Sequence, residues 1–474
     1  MGRIEHLARY GTLQTDFTLI KLGALHRANG GYLILDAEKV LTNPFAWDGL
    51  KRAIRSREIR IESLERQLSL ISTISLEPET IPMDLKVVLI GSRMLFYLLK
   101  QYDPEFGLLF KVSADFSEQL SREDENELLY ARLIATLQKR EGIRVITRDG
   151  VARIIEQLVR LTNHNDKISL KLSSLLDLLQ ESNYRAEQRG GSRIRRIDVD
   201  AAIQAQIFRG NQYQQQLQEA ILNGTLRIET SGVQLAQING LSYLQLGDHA
   251  FGAPTRISAT ARMGGGEFID IERETKQGGP IHSKGVMILS SYLGQRYAKN
   301  QLLSVTASLV FEQTYGEIEG DSASAAELCV LLSAIGDIPL RQSMAITGSI
   351  NQHGQMQAIG GVCQKIEGFF DICKARGLNK QHGVIIPSSN IKDLMLKEEI
   401  LEAAEAGLFN VHAVDHVEQA MELLTGLPAG VPDEDGLFPE GSINYLIQLK
   451  LAEWIALRLH YAGNTLQQGG TAEQ

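Results

Sequence analysis

The sequence predicts an α/β protein in which two α/β regions flank a helical bundle, the second region reading as α+β. Three observations lead there. Over residues 1–120, short apolar runs of strand type alternate with helix patterns, the rhythm of a parallel sheet. Over 121–205, apolar residues recur at three- and four-residue spacing, which marks amphipathic helices. From about Ser231 glycine becomes frequent and strands alternate with helices again. At roughly 150 residues per domain, 474 residues suggest about three domains.

Taken in order, Gly30 and Gly31 precede YLILDA, a strand ending at Asp36, and a helix follows across Ala46–Arg55. LKVVLIG (Leu85–Gly91) is the second strand, and MLFYLLKQYD is the helix after it. ENELLYARLIATLQKR, DGVARIIEQLVRLTN and LKLSSLLDLLQES form the bundle. IDVDAAIQAQI adds a helix with Asp198 as its N-cap. Before it lies RAEQRGGSRIRR, which reads as a solvated loop. The alternative is a phosphate-binding patch, but no aromatic residue interleaves with its arginines. Residues 206–230 are Gln-rich and helical in pattern, a linker. Within 231–430, TRISATA, GVMILSS and SMAITGSI read as strands. In 431–474, VPDEDGLFPEG is a turn-rich connection and INYLIQLKLAEWIALRL a packing or subunit-contact helix. The tail from Asn464 reads as polar and mobile.

Composition excludes several classes. Hydrophobic residues are 43% and charged residues 22%, too apolar for a disordered chain. With 48 Lys+Arg against 57 Asp+Glu, the net charge is −9, so no specific nucleic-acid binding is expected. No apolar run approaches the ~18 residues of a membrane span, and MGRIEHLARYG lacks a signal-peptide core. Cys329, Cys363 and Cys373 offer neither a disulfide framework nor a zinc knuckle. They read as buried, reduced thiols of a cytoplasmic protein without a membrane partner.

Two segments carry chemistry. In EGDSASAAELCVLLSAIGD (319–337), Gly320 permits a close turn and Ser322 stands where a helix should begin. Ala325, Leu328, Cys329 and Leu332 give the apolar face of that helix and Gly336 its C-terminal cap. A serine there has its hydroxyl beside unpaired backbone N–H groups that suit an oxyanion; taken alone, it reads as a simple N-cap. In AIGGVCQKIEGFFDICKARG (358–377), Val362, Ile366, Phe369 and Phe370 mark a buried side, and Lys365 lies beside it near the helix N-terminus. Burial and the helix dipole both lower the pKa of a lysine so placed, which prepares it as a general base; the alternative is a snorkelling surface lysine. A serine and a neutral lysine together make a dyad. Thr347, in the strand between them, is placed to orient the lysine.

Glu319 and Asp321 flank the serine and either orient the dyad or favour the helix N-terminus. His412 and His416 in HAVDH have i,i+4 spacing, but no third ligand completes a set, so no metal is expected. Glu272 and Glu274 read as strand charges.

GDSAS, then ITGSI, then IGGVCQKIEGFF followed by GVIIP resemble the proteolytic domain of the Lon family of ATP-dependent proteases. The absence of proline before the serine is similar to its LonB-like branch. The resemblance covers about residues 231–430. It implies Ser322 as nucleophile, Lys365 as general base and Thr347 as support, and it places IHSKGVMILSSYL (281–293) along the substrate groove. GALHRANGGYLILDA resembles the Walker B region of the branch's AAA+ module, VVLIGSR its sensor-1 strand, and the helices of 121–205 its lid.

Residues 1–120 are thus expected to form a partial AAA+ α/β core with Asp36 as a Walker B-like ligand. No G-x-x-x-x-G-K-S/T occurs, and Ala37 replaces the glutamate that usually follows. The ATPase module reads as cut short, by truncation or by nature. ATP and magnesium are not expected to be required for peptide hydrolysis. The resemblance implies unfolded or damaged proteins as substrates and a homohexameric ring. The competing readings are one part of a longer ATP-dependent protease and a non-catalytic, chaperone-like module.

Overall fold

The computed structural model describes residues 2–5, 7–9, 12–61, 78–299, 302–434 and 436–469. The chain falls into two compact units, Met1–Ser117 and Glu118–Gln474.

The first unit is built on two strands, β1 (Tyr32–Asp36) and β2 (Lys86–Ile90). They pair in parallel, with Tyr32 opposite Lys86 and Asp36 opposite Ile90. Helices α1 (Ala37–Thr42), α2 (Ala46–Ser56) and α3 (Arg93–Tyr102) follow the strands as the alternating pattern requires. Leu33, Leu50, Ala53 and Ile59 make the core of this unit.

The second unit begins with the bundle: α4 (Asp124–Arg140), α5 (Arg148–Arg160), α6 (Leu172–Gln188) and α7 (Arg196–Gly210). Their apolar stripes meet in one core around Ile154, Leu158, Leu175, Leu179 and Val199. Two expectations change here. The N-cap of α7 is Arg195, not Asp198; Asp198 is the third helical residue, and its carboxylate accepts the Arg195 N–H at 2.8 Å. The basic loop is shorter than RAEQRGGSRIRR suggests, because α6 runs on to Gln188. Its Arg189 is taken up by both carboxylate oxygens of Asp198 at 2.8 Å. Helix α8 (Gln212–Leu222) then leads into the strand-rich region.

That region is a mixed sheet of seven strands. In chain order they are β3 (Gln237–Leu246), β4 (His249–Met263), β5 (Phe268–Asp270), β6 (Val305–Phe311), β7 (Met344–Ile346), β8 (Gly383–Pro387) and β9 (Asn410–Val414). Their order across the sheet is β5-β6-β4-β3-β7-β8-β9. The hairpin β3–β4 is antiparallel, with Gln237 opposite Ser258, whereas β7 runs parallel to both β3 and β8.

Alternation along β7 and β8 separates two apolar layers. Met344, Ile346 and Ile385 face a layer built on α9 (Pro280–Tyr297), α10 (Ser324–Gly336) and two later helices, Val417–Thr425 and Ile443–Gly469. Ala345, Val384 and Ile386 face the opposite layer, built on α11 (Val362–Arg376).

Two further expectations fail here. GVMILSS is not a strand but the middle of α9. Its buried positions His282, Val286, Leu289, Leu293 and Tyr297 recur at helical spacing from Pro280 onward. The last helix is described as far as Gly469; residues 470–474 lie outside the described residues. In helix α10 the expected face of Ala325, Leu328, Cys329 and Leu332 is buried, and so is nearly every other residue, because the helix is enclosed by the sheet and by neighbouring helices. Its C-cap is Asp337, at φ +52°, not Gly336.

Glycine sets how closely α11 approaches the sheet. A Cβ on Gly368 would lie 2.0 Å from the carbonyl oxygen of Gly252 in β4, and a Cβ on Gly252 would lie 2.5 Å from the Cα of Lys365. Only two glycines in register allow helix backbone to rest on strand backbone here. Lys365 is therefore held by a backbone contact that no side chain could replace.

Candidate active site

The site forms at the carboxyl end of β7, where α10 and α11 arrive from opposite faces of the sheet. Ligand sites of α/β sheets favour this location. Ser322 lies in the turn just before α10, and its side chain is half-buried. It is not the N-cap of the helix: Ala323 takes that position, at φ −96°. The serine hydroxyl is therefore not committed to helix capping.

The turn is fastened to the segment after β7. The Ser322 carbonyl accepts the Gly348 N–H at 2.8 Å and the Thr347 hydroxyl at 3.0 Å. The Gly348 carbonyl accepts the Ala325 N–H at 3.0 Å. Ser324 donates its hydroxyl to the Asp321 carbonyl at 2.8 Å and accepts the Ile350 N–H at 3.1 Å. Gly320 takes φ +94° to turn the chain into this arrangement.

Lys365 is the fourth residue of α11 and is 2% exposed. Its Nζ lies 2.7 Å from Ser322 Oγ and 3.1 Å from Thr347 Oγ1. Burial lowers its pKa from 10.5 to about 8, and the charge of Asp321 opposes that shift without cancelling it. The arrangement presents a hydroxyl, at an accessible position, to a buried amine that gives up its proton near neutral pH. The start of α11 is fixed by Gly361, at φ +67° against the Tyr243 ring, where a Cβ would come within 2.4 Å of that ring.

The supporting acids divide. Asp321 accepts the Ser349 hydroxyl at 2.7 Å, within the site. Glu319 is exposed and turns to another helix, with Oε1 3.4 Å from the Ile281 N–H in the first turn of α9. Asp36 lies in the other unit, where it caps α1 through the Lys39 N–H at 3.1 Å, with Lys39 Nζ 3.8 Å away.

Two readings of ionisable residues are corrected. His412 and His416 share no helix: His412 is in β9, and His416 caps the next helix with Nε2 2.9 Å from the His353 carbonyl. Glu272 is not a strand charge. It sits in the short helix α12 (Ile271–Glu274) and is buried, while Glu274 pairs with Arg273 at the surface. Burial raises the Glu272 pKa, and the neighbouring Asp270 adds to that. The three cysteines are free and buried; burial alone raises the Cys329 thiol well above its ordinary range.

One brace was missed in the sequence. Glu367, two residues after Lys365, is gripped through both oxygens by Arg160 Nη2 of α5 at 2.5 Å. Lys397 Nζ stands 3.7 Å from the same carboxylate. The lysine-bearing helix is thus tied to the bundle. The signal was an acid next to Ile366 on the buried side of the helix.

Comparison with known proteins bears on this geometry. Residues 1–117 match the LonB-like AAA domain family, 145–209 the archaeal LonB AAA+ ATPase LID domain, and 315–426 the Lon protease C-terminal proteolytic domain. A Lon protease homolog of Escherichia coli is 35% identical over 87% of this chain and 69% of its own length. Its counterpart in Haemophilus influenzae is 34% identical over 90% and 70%. The archaeal Lon protease of Pyrococcus abyssi is 26% identical over 88% of this chain but 41% of its own length.

Proposed function

The chain belongs to the Lon protease family, and from that footing we propose that it is a serine endopeptidase working through a Ser322–Lys365 dyad. The observation that carries the reading is the 2.7 Å contact between Lys365 Nζ and Ser322 Oγ, with the amine buried and its pKa lowered to about 8. Near pH 7 roughly a tenth of such a lysine is neutral, enough to act as a base. Neutral Lys365 takes the hydroxyl proton as Ser322 Oγ attacks the peptide carbonyl. Backbone N–H groups of the turn at Ser322 hold the oxyanion. Protonated Lys365 then gives its proton to the leaving amine, and water, with its own proton passing to Lys365, releases the acyl group. Thr347 accepts from the lysine and donates to the Ser322 carbonyl, so one hydroxyl sets the spacing of both partners.

Peptide hydrolysis by this chain runs without nucleotide. The residues do not fit a magnesium–ATP site: no phosphate loop with its lysine occurs among the 474 residues, and the Asp36 carboxylate caps a helix beside Lys39. No step passes through that group. The substrates are unfolded or damaged proteins, which reach the dyad inside a ring of six subunits. Among the described residues, no helix is long and apolar enough to cross a membrane.

The test is covalent labelling with a fluorophosphonate, followed by peptide mass mapping. Labelling of Ser322, lost in Lys365→Ala, is expected. Labelling elsewhere, or none with intact fold, removes the dyad from the account.

A further inference from the structure

Behind the nucleophile helix lies a second group of ionisable side chains that the proposed reaction does not use. Asp270 closes β5, Glu272 sits in α12, His282 is the third residue of α9, and Glu327 lies in the first turn of α10. They are 1%, 4%, 2% and 1% exposed. One donor atom each from Asp270, Glu272 and His282 falls within 4.8 Å of the others. Glu272 Oε1 accepts the Phe311 N–H at 2.8 Å. Asp270 Oδ2, Glu272 Oε2 and Glu327 Oε1 have no hydrogen-bond partner although they are buried.

Three carboxylates closed around one imidazole require compensation, because buried charge persists only when it is paired or coordinates a metal. The spacing is informative. A protonated imidazole bonded to a carboxylate closes to about 2.7–2.9 Å. Here Nε2 lies 3.4 Å from each oxygen of Asp270, a long contact for such a bond, while Nδ1 faces Glu327 Oε1 on the other side of the ring. Around a tetrahedral ion with bonds of about 2.0–2.2 Å, neighbouring donors are about 3.3–3.6 Å apart.

We propose that Asp270, Glu272 and the Nε2 of His282 bind a divalent transition-metal cation of the zinc type, with Glu327 Oε1 facing Nδ1 of the same ring. Two carboxylates and a neutral imidazole match the charge and the donor preference of such an ion. Glu327 is then the outer carboxylate that fixes the tautomer and orientation of the histidine. The site is closed to solvent, so the ion is structural, and both oxygens of Asp270, each 3.4 Å from Nε2, complete its four donors. It joins α12, α9 and α10, and Gly285 of α9 rests against Asp321 and Ser324, with the position of its Cβ 3.7 Å from theirs. Loss of the ion therefore loosens the turn that carries Ser322. The binding claim itself does not depend on the protease reading.

The experiment uses the whole chain. Zinc content is measured after gel filtration, and Zn2+ titration by calorimetry follows chelation and dialysis. The parent and the variants Glu272→Gln and Glu327→Gln are compared. Glutamine at 272 keeps an acceptor for the Phe311 N–H, and the change at 327 leaves the three ligands in place. About one Zn2+ per chain is expected in the parent, with affinity lower by about 10–100-fold or more in each variant. Chelation should lower the melting temperature of the parent but not that of Glu272→Gln. A parent that takes up no stoichiometric Zn2+, with a melting temperature indifferent to chelator, would overturn the site and leave its carboxylates to be neutralised by protons. Binding of equal strength in all three proteins would place the ion elsewhere and overturn it as well.

Discussion

Replacing Lys365 by methionine should abolish activity and make the protein more stable. In the folded chain the lysine is driven from 10.5 to about 8, mainly by burial. At about 1.4 kcal/mol per tenfold, that is a cost of about 3 kcal/mol for carrying its proton near pH 7. The substitution also removes the contacts to Ser322 and Thr347 at 2.7 and 3.1 Å, worth about 0.5–1.5 kcal/mol each. Methionine fills nearly the same volume without polar atoms. The net gain is about 1–2 kcal/mol near pH 7, or a melting temperature higher by about 1–3 °C for a unit of this size.

The gain depends on pH. Between about 8 and 10.5 the unfolded parent binds the lysine proton and the folded parent does not. Parent stability therefore rises with pH across that window, and the penalty is present in full below it. The advantage of methionine should shrink by about 1 kcal/mol between pH 7 and pH 9. Scanning fluorimetry of both proteins at the two pH values checks this. A methionine variant less stable than the parent at pH 7, or a difference that does not change with pH, would refute the claim that burial tunes this lysine.

The same shift governs turnover. For a small peptide, kcat/KM should rise about tenfold per pH unit below about 8 and level off above it; a rise continuing to pH 10 would mean an untuned lysine. Thr347→Val removes the hydroxyl between Lys365 and the Ser322 carbonyl. It should lower kcat by about 10–100-fold with little change in KM, and steady-state kinetics would show it. Arg160→Ala strands the buried Glu367, apart from Lys397 at 3.7 Å. It should cost about 2 kcal/mol or more, whereas Glu367→Gln costs less, as thermal melts can compare.

Legibility in the sequence followed the range of the interactions. β1, β2 and the bundle helices were readable because local period and tertiary burial agree. GVMILSS misled because four consecutive apolar residues, Val286–Leu289, fit a buried strand as well as a buried helix; only the longer spacing from Pro280 decides. HAVDH misled because a spacing of four means one face only inside a helix, and His412 lies in a strand. Ser322 and Lys365 stood out through their glycine-bearing turns, although the helix begins one residue later than the serine suggested. The Gly252–Gly368 contact, the Arg160–Glu367 tie and the cluster of Asp270, Glu272, His282 and Glu327 join residues far apart in the chain. No local pattern announces such pairs.

The central claim is that Ser322 and Lys365 form one catalytic unit. Its most direct test is cleavage of casein, without nucleotide, by the parent, Ser322→Ala and Lys365→Ala, with all three shown to be folded. The account predicts cleavage by the parent and none by either variant. Cleavage that survives in both variants, or a folded parent that cleaves nothing, would contradict it.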